Sequence, residues 1–278
     1  MATCYRHPGR ETGVACSNCG RPICPDCMTT SPVGMRCPDC ARQTIKVRTV
    51  RSPQGHRGFE VTIVLIAINV IAFLTEGASA LTLTGEANLT STVMYHGVLF
   101  GPSIEVNHEY YRLLTSGFLH WDFLHIGLNM YVLYWLGRLL EPAMGRQRFL
   151  TIYFVGLLAG SLGVLIVTPT SPTAGASGAI FGLMGAGYTE AHKRGVDLVR
   201  NQLLLMIVIN LVLTVGISGV SIGAHVGGLI GGGLATLAFQ QGDRLRRPIL
   251  GYAGCLALAG IAVAGSIVVA NGIAVGPA

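Results

Sequence analysis

Two groups of side chains in this sequence have the types and spacing to do chemistry. Near its start stand Cys4-x2-His7, Cys16-x2-Cys19, Cys24-x2-Cys27 and Cys37-x2-Cys40. Further on, Ser177 sits in Gly175-Ala176-Ser177-Gly178, His225 follows Gly223-Ala224, and His120, Asp122, His125 and Asn129 share one short stretch. The first group reads as metal ligation: a two-residue gap lets a tight turn bring two ligands to one ion, and four such pairs make two tetrahedral sites. The second group offers a nucleophile and a base. A serine hydroxyl attacks well only when a base takes its proton, and neutral histidine suits that task near pH 7. Attack on a carbonyl builds an oxyanion that needs donors. His125 and Asn129, four residues apart, project from one helix face and can both donate, as can the Ser177 N–H. The histidines do not form a His-Glu-x-x-His zinc motif.

The elements that must position these groups follow from composition. Of 278 residues, 51% are hydrophobic and 12% charged, against about 25% charged in a soluble domain. That excludes a soluble globular enzyme, a disordered tail or a DNA-binding domain as a reading of the whole chain. Apolar blocks at about 59–75, 121–140, 149–168, 177–192, 201–218, 222–240 and 249–270 predict seven helical membrane spans. No cleavable signal peptide is expected ahead of them, because the first block begins so far into the chain. All but Arg112 of the 19 Lys and Arg fall before the first span, in alternate connections or, for Arg138, in the end of span two beside one of them. The positive-inside rule then predicts a cytoplasmic N-terminus and an outside C-terminus. In that orientation spans two, four and six begin outside, and His120, His125, Asn129, Ser177 and His225 all lie in their outer halves. They share one depth and are expected to meet in one cavity. Gly178-x3-Gly182, Gly227-x3-Gly231 and Gly228-x3-Gly232 supply small faces for close approach of spans four and six.

Seven of the eight cysteines lie within residues 1–40, where aliphatic side chains are too few to build a core. Zinc coupling binding to folding fills that role. A disulfide framework is the competing reading; it has no use for His7 and does not suit a head facing the cytosol. The predicted organisation is a zinc head at 1–42, a basic linker at 43–58, a membrane domain at 59–270 and a tail at 271–278. The linker is expected to orient the first span, with contact to anionic lipid head groups as the weaker alternative, and nucleic acid is not expected as a partner.

Cys-x2-His-Pro, Pro22-Ile23-Cys24 and Cys37-Pro38-x-Cys40 resemble the B-box family of zinc fingers. The resemblance implies a cross-brace, Cys4/His7 with Cys24/Cys27 and Cys16/Cys19 with Cys37/Cys40; spacing alone does not settle that pairing. Tyr111-Arg112, His120-x4-His125-x3-Asn129, Gly175-Ala176-Ser177-Gly178 and Ala224-His225-Val226-Gly227-Gly228 resemble the rhomboid family of intramembrane serine proteases, over roughly 59–270. What this resemblance implies is a six-helix core plus a C-terminal helix. It further implies Ser177 as nucleophile, His225 as base in a dyad without a carboxylate, His125 and Asn129 at the oxyanion, and His120 in the same polar shell. Phe181 stands where many members have tyrosine, and Tyr111 where tryptophan is usual. The implied substrates are transmembrane proteins that enter laterally near span five, which carries Asn210. The alternative is an inactive rhomboid-like scaffold working through its zinc head, for which a cytosolic partner is expected. A transporter is the weaker rival, since no charged pathway crosses the bilayer. The Ala, Gly and Val richness suggests a prokaryotic cell membrane.

Overall fold

A computed structural model describes residues 2–31, 34–42, 58–76, 91–216 and 221–273. It divides into two compact units, Met1–Gly55 and His56–Ala278. The basic linker, but for Gly58, and the end of the tail lie outside the described residues.

In the first unit, β1 (Ala2–Cys4) pairs antiparallel with β2 (His7–Thr12), and β3 (Thr29–Ser31) with β4 (Gly34–Arg36). A short helix, α1 (Pro38–Arg42), follows. The interior consists of Cys4, Cys16, Cys24, Cys27, Cys37 and Cys40 around one aliphatic side chain, Ile23. Burying a single isoleucine contributes about 1.5–3 kcal/mol, far too little to order some forty residues. Side-chain packing alone does not account for the order of this unit.

The second unit is helical: α2 (Glu60–Thr75), three short helices α3 (Thr92–Gly97), α4 (Gly101–Asn107) and α5 (Arg112–Thr115), then α6 (Phe123–Met144), α7 (Arg146–Val167), α8 (Ser177–Arg194), α9 (Asp197–Gly216), α10 (Ile222–Arg244) and α11 (Pro248–Asn271). Each of the seven apolar blocks falls on a long helix. Of these, α7, α9, α10 and α11 are long and apolar enough to cross a membrane by length and composition. Helix α2 is apolar but has 16 residues. Helix α6 carries His125, Asn129, Arg138 and Glu141, and α8 is rich in glycine and ends with Glu190, His192, Lys193 and Arg194, which lowers their hydropathy. Ile63, Ile71, Leu74, Val212, Leu256 and Val268 point outward, an apolar surface suited to lipid.

Helix α10 lies at the centre, packed on α7, α8 and α11. Its approach to α8 depends on glycine: a Cβ at Gly228 or Gly232 would collide with the backbone of Gly178 or Gly182. Helix α6 runs past the predicted end of its block, and Glu141 gives the reason. Its fully buried carboxylate accepts the N–H of Val61 (3.0 Å), the N–H of Thr62 (2.9 Å) and the Thr62 hydroxyl (2.7 Å), capping the start of α2. The long segment between the first two predicted spans holds α3–α5. Arg112, the lone cation there, is buried: its Nη1 donates to Val98 O (2.7 Å) and Tyr95 O (3.0 Å), and its Nε to Glu109 (2.6 Å). The neighbouring Tyr111 ring is exposed.

Candidate active site and metal clusters

Ser177 is the first residue of α8, so its N–H is among the amides that an α-helix leaves without an internal partner. The chain reaches it through Gly175 at φ +140°, a conformation open to glycine, where a Cβ would also strike the His125 ring. The Gly175 N–H donates to Ser116 O (2.9 Å), and a two-bond bridge between Thr173 and Leu99 ties the approach to the loop before α4. Backbone anchoring therefore holds the serine against α6.

His225 lies in the first turn of α10, whose start is capped by the Ser221 hydroxyl. The ring is buried and stacks on Phe181 at 4.1 Å between centroids and 15° between planes. Phe181 is four residues after Ser177, so one face of α8 carries both. His225 Nδ1 is 2.7 Å from the Thr214 hydroxyl on α9. Its Nε2 is buried with no hydrogen-bond partner among the described residues, so no Ser177–His225 hydrogen bond is formed.

On α6, Asp122 caps the helix by accepting the His125 N–H (2.8 Å), and Asn129 Nδ2 donates to His125 O (3.0 Å), leaving one amide proton of Asn129 for another acceptor. His125, Asn129, Ser177 and His225 line one cavity of about 160 Å³, completed by Phe181, Asn210 and Thr214 among others. Four of the five expected residues thus meet. His120 does not line the cavity; fully buried, it stands behind, its ring centroid 5.0 Å from that of His125. The cavity is large enough for several waters and has polar atoms to hold them.

Two residues here were missed by sequence reasoning. Thr214 is hidden in an apolar stretch, and its one signal is its place four residues after Asn210. Glu76 is the first residue past α2; it is buried and accepts the His120 N–H (3.2 Å). Burial pushes its carboxyl up to about 7 against the opposing pull of that bond.

In the head, the ligand atoms of Cys4, His7, Cys24 and Cys27 gather within 4.8 Å of one another, as do those of Cys16, Cys19, Cys37 and Cys40. His7 Nδ1 is 3.3 Å from Cys24 Sγ and 3.4 Å from Cys27 Sγ. First pair with third and second with fourth is the grouping that the cross-brace implies. Burial acts to raise the Cys4 thiol, but N–H bonds from Arg6, Cys24 and His7 outweigh it and hold it at about 6. Four thiols at one cluster, and three with an imidazole at the other, could bind zinc.

The family model described as Rhomboid domain matches residues 107–241. Among curated relatives, the putative rhomboid protease YdcA of Bacillus subtilis is 30% identical over 182 residues, 63% of this chain and 91% of the relative. The rhomboid protease GluP of Bacillus subtilis is 33% identical over 180 residues, 64% of this chain and 34% of the relative. The inactive RHOMBOID-like protein 8 of Arabidopsis thaliana is 30% identical over 125 residues, 45% of this chain and 35% of the relative. The chain therefore spans about a third of the length of these last two.

Proposed function

This chain belongs to the rhomboid family, and on that premise we propose that it is an intramembrane serine endopeptidase, cleaving peptide bonds in or beside the transmembrane helices of other membrane proteins. The observation that carries this reading is the convergence of Ser177, His225, His125 and Asn129, from three helices, on one cavity. His225 Nε2 takes the Ser177 proton as Oγ attacks the substrate carbonyl. The developing oxyanion meets the Ser177 N–H at the positive end of α8, the His125 ring and the free amide proton of Asn129. The imidazolium then returns its proton to the leaving amine, and a water activated by the same Nε2 releases the acyl group. Approach of Ser177 to His225 belongs to the substrate complex, since catalytic hydrogen bonds are often long before substrate binds. A substrate helix must unwind first, because an intact helix keeps its carbonyls in its own hydrogen bonds.

In this reading the basic connections face the cytoplasm, the cavity opens toward the outer face, and the membrane is that of a prokaryotic cell. Residues 1–42 form a B-box-like head in which Cys4, His7, Cys24 and Cys27 hold one zinc ion, and Cys16, Cys19, Cys37 and Cys40 a second. With all ligand positions filled by protein, zinc supplies folding cohesion. Residues 43–58 tether this head to the membrane domain at 59–270, and the head docks a cytosolic protein. The rival reading, a scaffold that holds membrane clients without cutting them, draws on the unformed Ser177–His225 hydrogen bond and on the relative named inactive.

The deciding experiment compares purified native protein with Ser177→Ala and His225→Ala on a membrane-helix substrate. The expected result is cleavage by the native protein and a loss of at least about 10³-fold in each variant. Equal product from all three leaves the scaffold as the answer.

A further inference from the structure

The Thr214 hydroxyl has two partners and one proton. Its Oγ1 lies 2.7 Å from Asn210 O, one turn back on α9, and 2.7 Å from His225 Nδ1 on α10. A backbone carbonyl can only accept, so the hydroxyl proton goes to Asn210 O. The contact with His225 is then a hydrogen bond only if the ring brings the proton, which places it on Nδ1. A neutral imidazole carries a single ring proton, so Nε2 keeps its lone pair. The reverse arrangement, with the hydroxyl donating to Nδ1, would face two oxygens across 2.7 Å with no proton between them. It would also put the ring proton on Nε2, where it blocks proton transfer from a serine.

Nothing else described supplies this choice. Phe181 stacks on the ring and fixes its plane, but an aromatic face does not distinguish the two nitrogens. Among the described residues Nε2 has no partner, and Thr214 is the one side chain that hydrogen-bonds Nδ1. Thr214 is itself 5% exposed, and its Oγ1 is engaged by Asn210 O on one side and His225 Nδ1 on the other, which leaves little of the hydroxyl open to competing water.

We infer that Thr214 is a positioning residue for the reaction proposed above: from α9, it holds His225 in the tautomer whose Nε2 is free to take the Ser177 proton. The inference rests on the Ser177–His225 reading. It also gives α9 a task in the chemistry, because its docking decides the protonation pattern of a side chain on α10.

The test uses the full chain, carrying 15N-labelled histidine, as native protein, Thr214→Ser and Thr214→Val, with His225→Ala to assign the His225 signals. Valine keeps the shape of threonine and lacks the hydroxyl. Two-bond nitrogen–proton couplings report which ring nitrogen carries the proton. Native protein and Thr214→Ser are expected to hold it on Nδ1, whereas Thr214→Val shows Nε2–H as a major form. With the hydrogen bond gone, kcat of Thr214→Val should fall about tenfold with KM within about twofold, and Thr214→Ser should stay near native. A native His225 protonated on Nε2 overturns the inference, as does a folded Thr214→Val that matches native protein in tautomer and kcat. A Thr214→Val that loses stability while keeping the Nδ1–H tautomer assigns Thr214 a structural role and also overturns it. If native protein cleaves nothing and its Ser177 resists a fluorophosphonate probe, the protease reading fails and the positioning role with it; the couplings still decide the direction of the Thr214–His225 bond.

Discussion

The head and the membrane unit solve the same problem, ordering a chain around a cluster of polar or ligating side chains, by opposite means. In the head the candidate ligands make up most of the interior: six cysteines, Ile23 and Thr12 are what is buried among the described residues, and each cluster joins two closely spaced pairs from different parts of one short segment. In the membrane unit the interior is packed side chains and bare glycine backbone, and the cavity is assembled from α6, α8, α9 and α10. Metal cohesion is all-or-none with the ion; packing cohesion is spread over many contacts and yields by degrees. The two units should therefore fail independently and in different ways.

The largest effect expected is on the head. Structural zinc contributes about 10–16 kcal/mol of apparent binding free energy in small domains, which exceeds anything one isoleucine can supply. Stripping metal with a strong chelator, or replacing Cys24 with serine in the full chain, should unfold residues 1–42 while Ser177 remains as reactive toward a fluorophosphonate as before. Limited proteolysis cutting the head, with unchanged labelling of the membrane unit, is the measurement. Loss of labelling on chelation would show that the two units are one cooperative structure.

A smaller, graded effect belongs to the α8–α10 contact. Replacing Gly232 with alanine places a methyl group against the Gly182 backbone, which cannot retreat as a flexible side chain would. Overpacking of this kind costs about 1–3 kcal/mol. The variant should melt several degrees lower in detergent and should lose activity through displacement of His225 relative to Ser177. The head's resistance to proteolysis should not change. Gly233, one residue on, has open space and Thr189 at 3.6 Å from an added Cβ, so alanine there is the matched control and should be near neutral.

What could be read in the sequence follows the same division. The head's ligand set was legible because its chemistry depends on local spacing. The seven helices were legible because lipid demands long apolar blocks, and Ser177, His225, His125 and Asn129 because their depths agreed. What escaped were contacts made across the fold by ordinary residues. Thr214 looks like any small polar residue in an apolar run until α9 brings it to His225. Glu141 ends a block rather than standing inside one, and its role appears only when α2 starts beside it. The segment before α6 carries no apolar block because its short helices lack apolar periodicity, and they are held by Arg112 reaching two carbonyls. No local pattern encodes a partner that is eighty residues away.

Glu76 gives the finest test of how packing cohesion yields. Its carboxyl is buried, one oxygen accepts the His120 N–H, and the other has no partner among the described residues. Burial raises its pKa from 4.5 to about 7, so the folded chain binds this proton more tightly than the unfolded chain does. The sign follows from linkage: the contribution to stability is fully present below about pH 4.5 and is lost as pH rises through about 7. Thermal melting of native protein in detergent should therefore decline between about pH 6 and pH 8. Glu76→Gln keeps an acceptor for the His120 N–H and cannot ionise, so it should melt at nearly constant temperature over that interval and above native protein at its alkaline end. Parallel curves for the two proteins would mean that Glu76 stays ionised in the fold and that the cluster behind His125 is solvated better than its burial implies. A flat profile for Glu76→Gln beside a falling native one would instead show that the pocket wall behind His125 is held together by a proton.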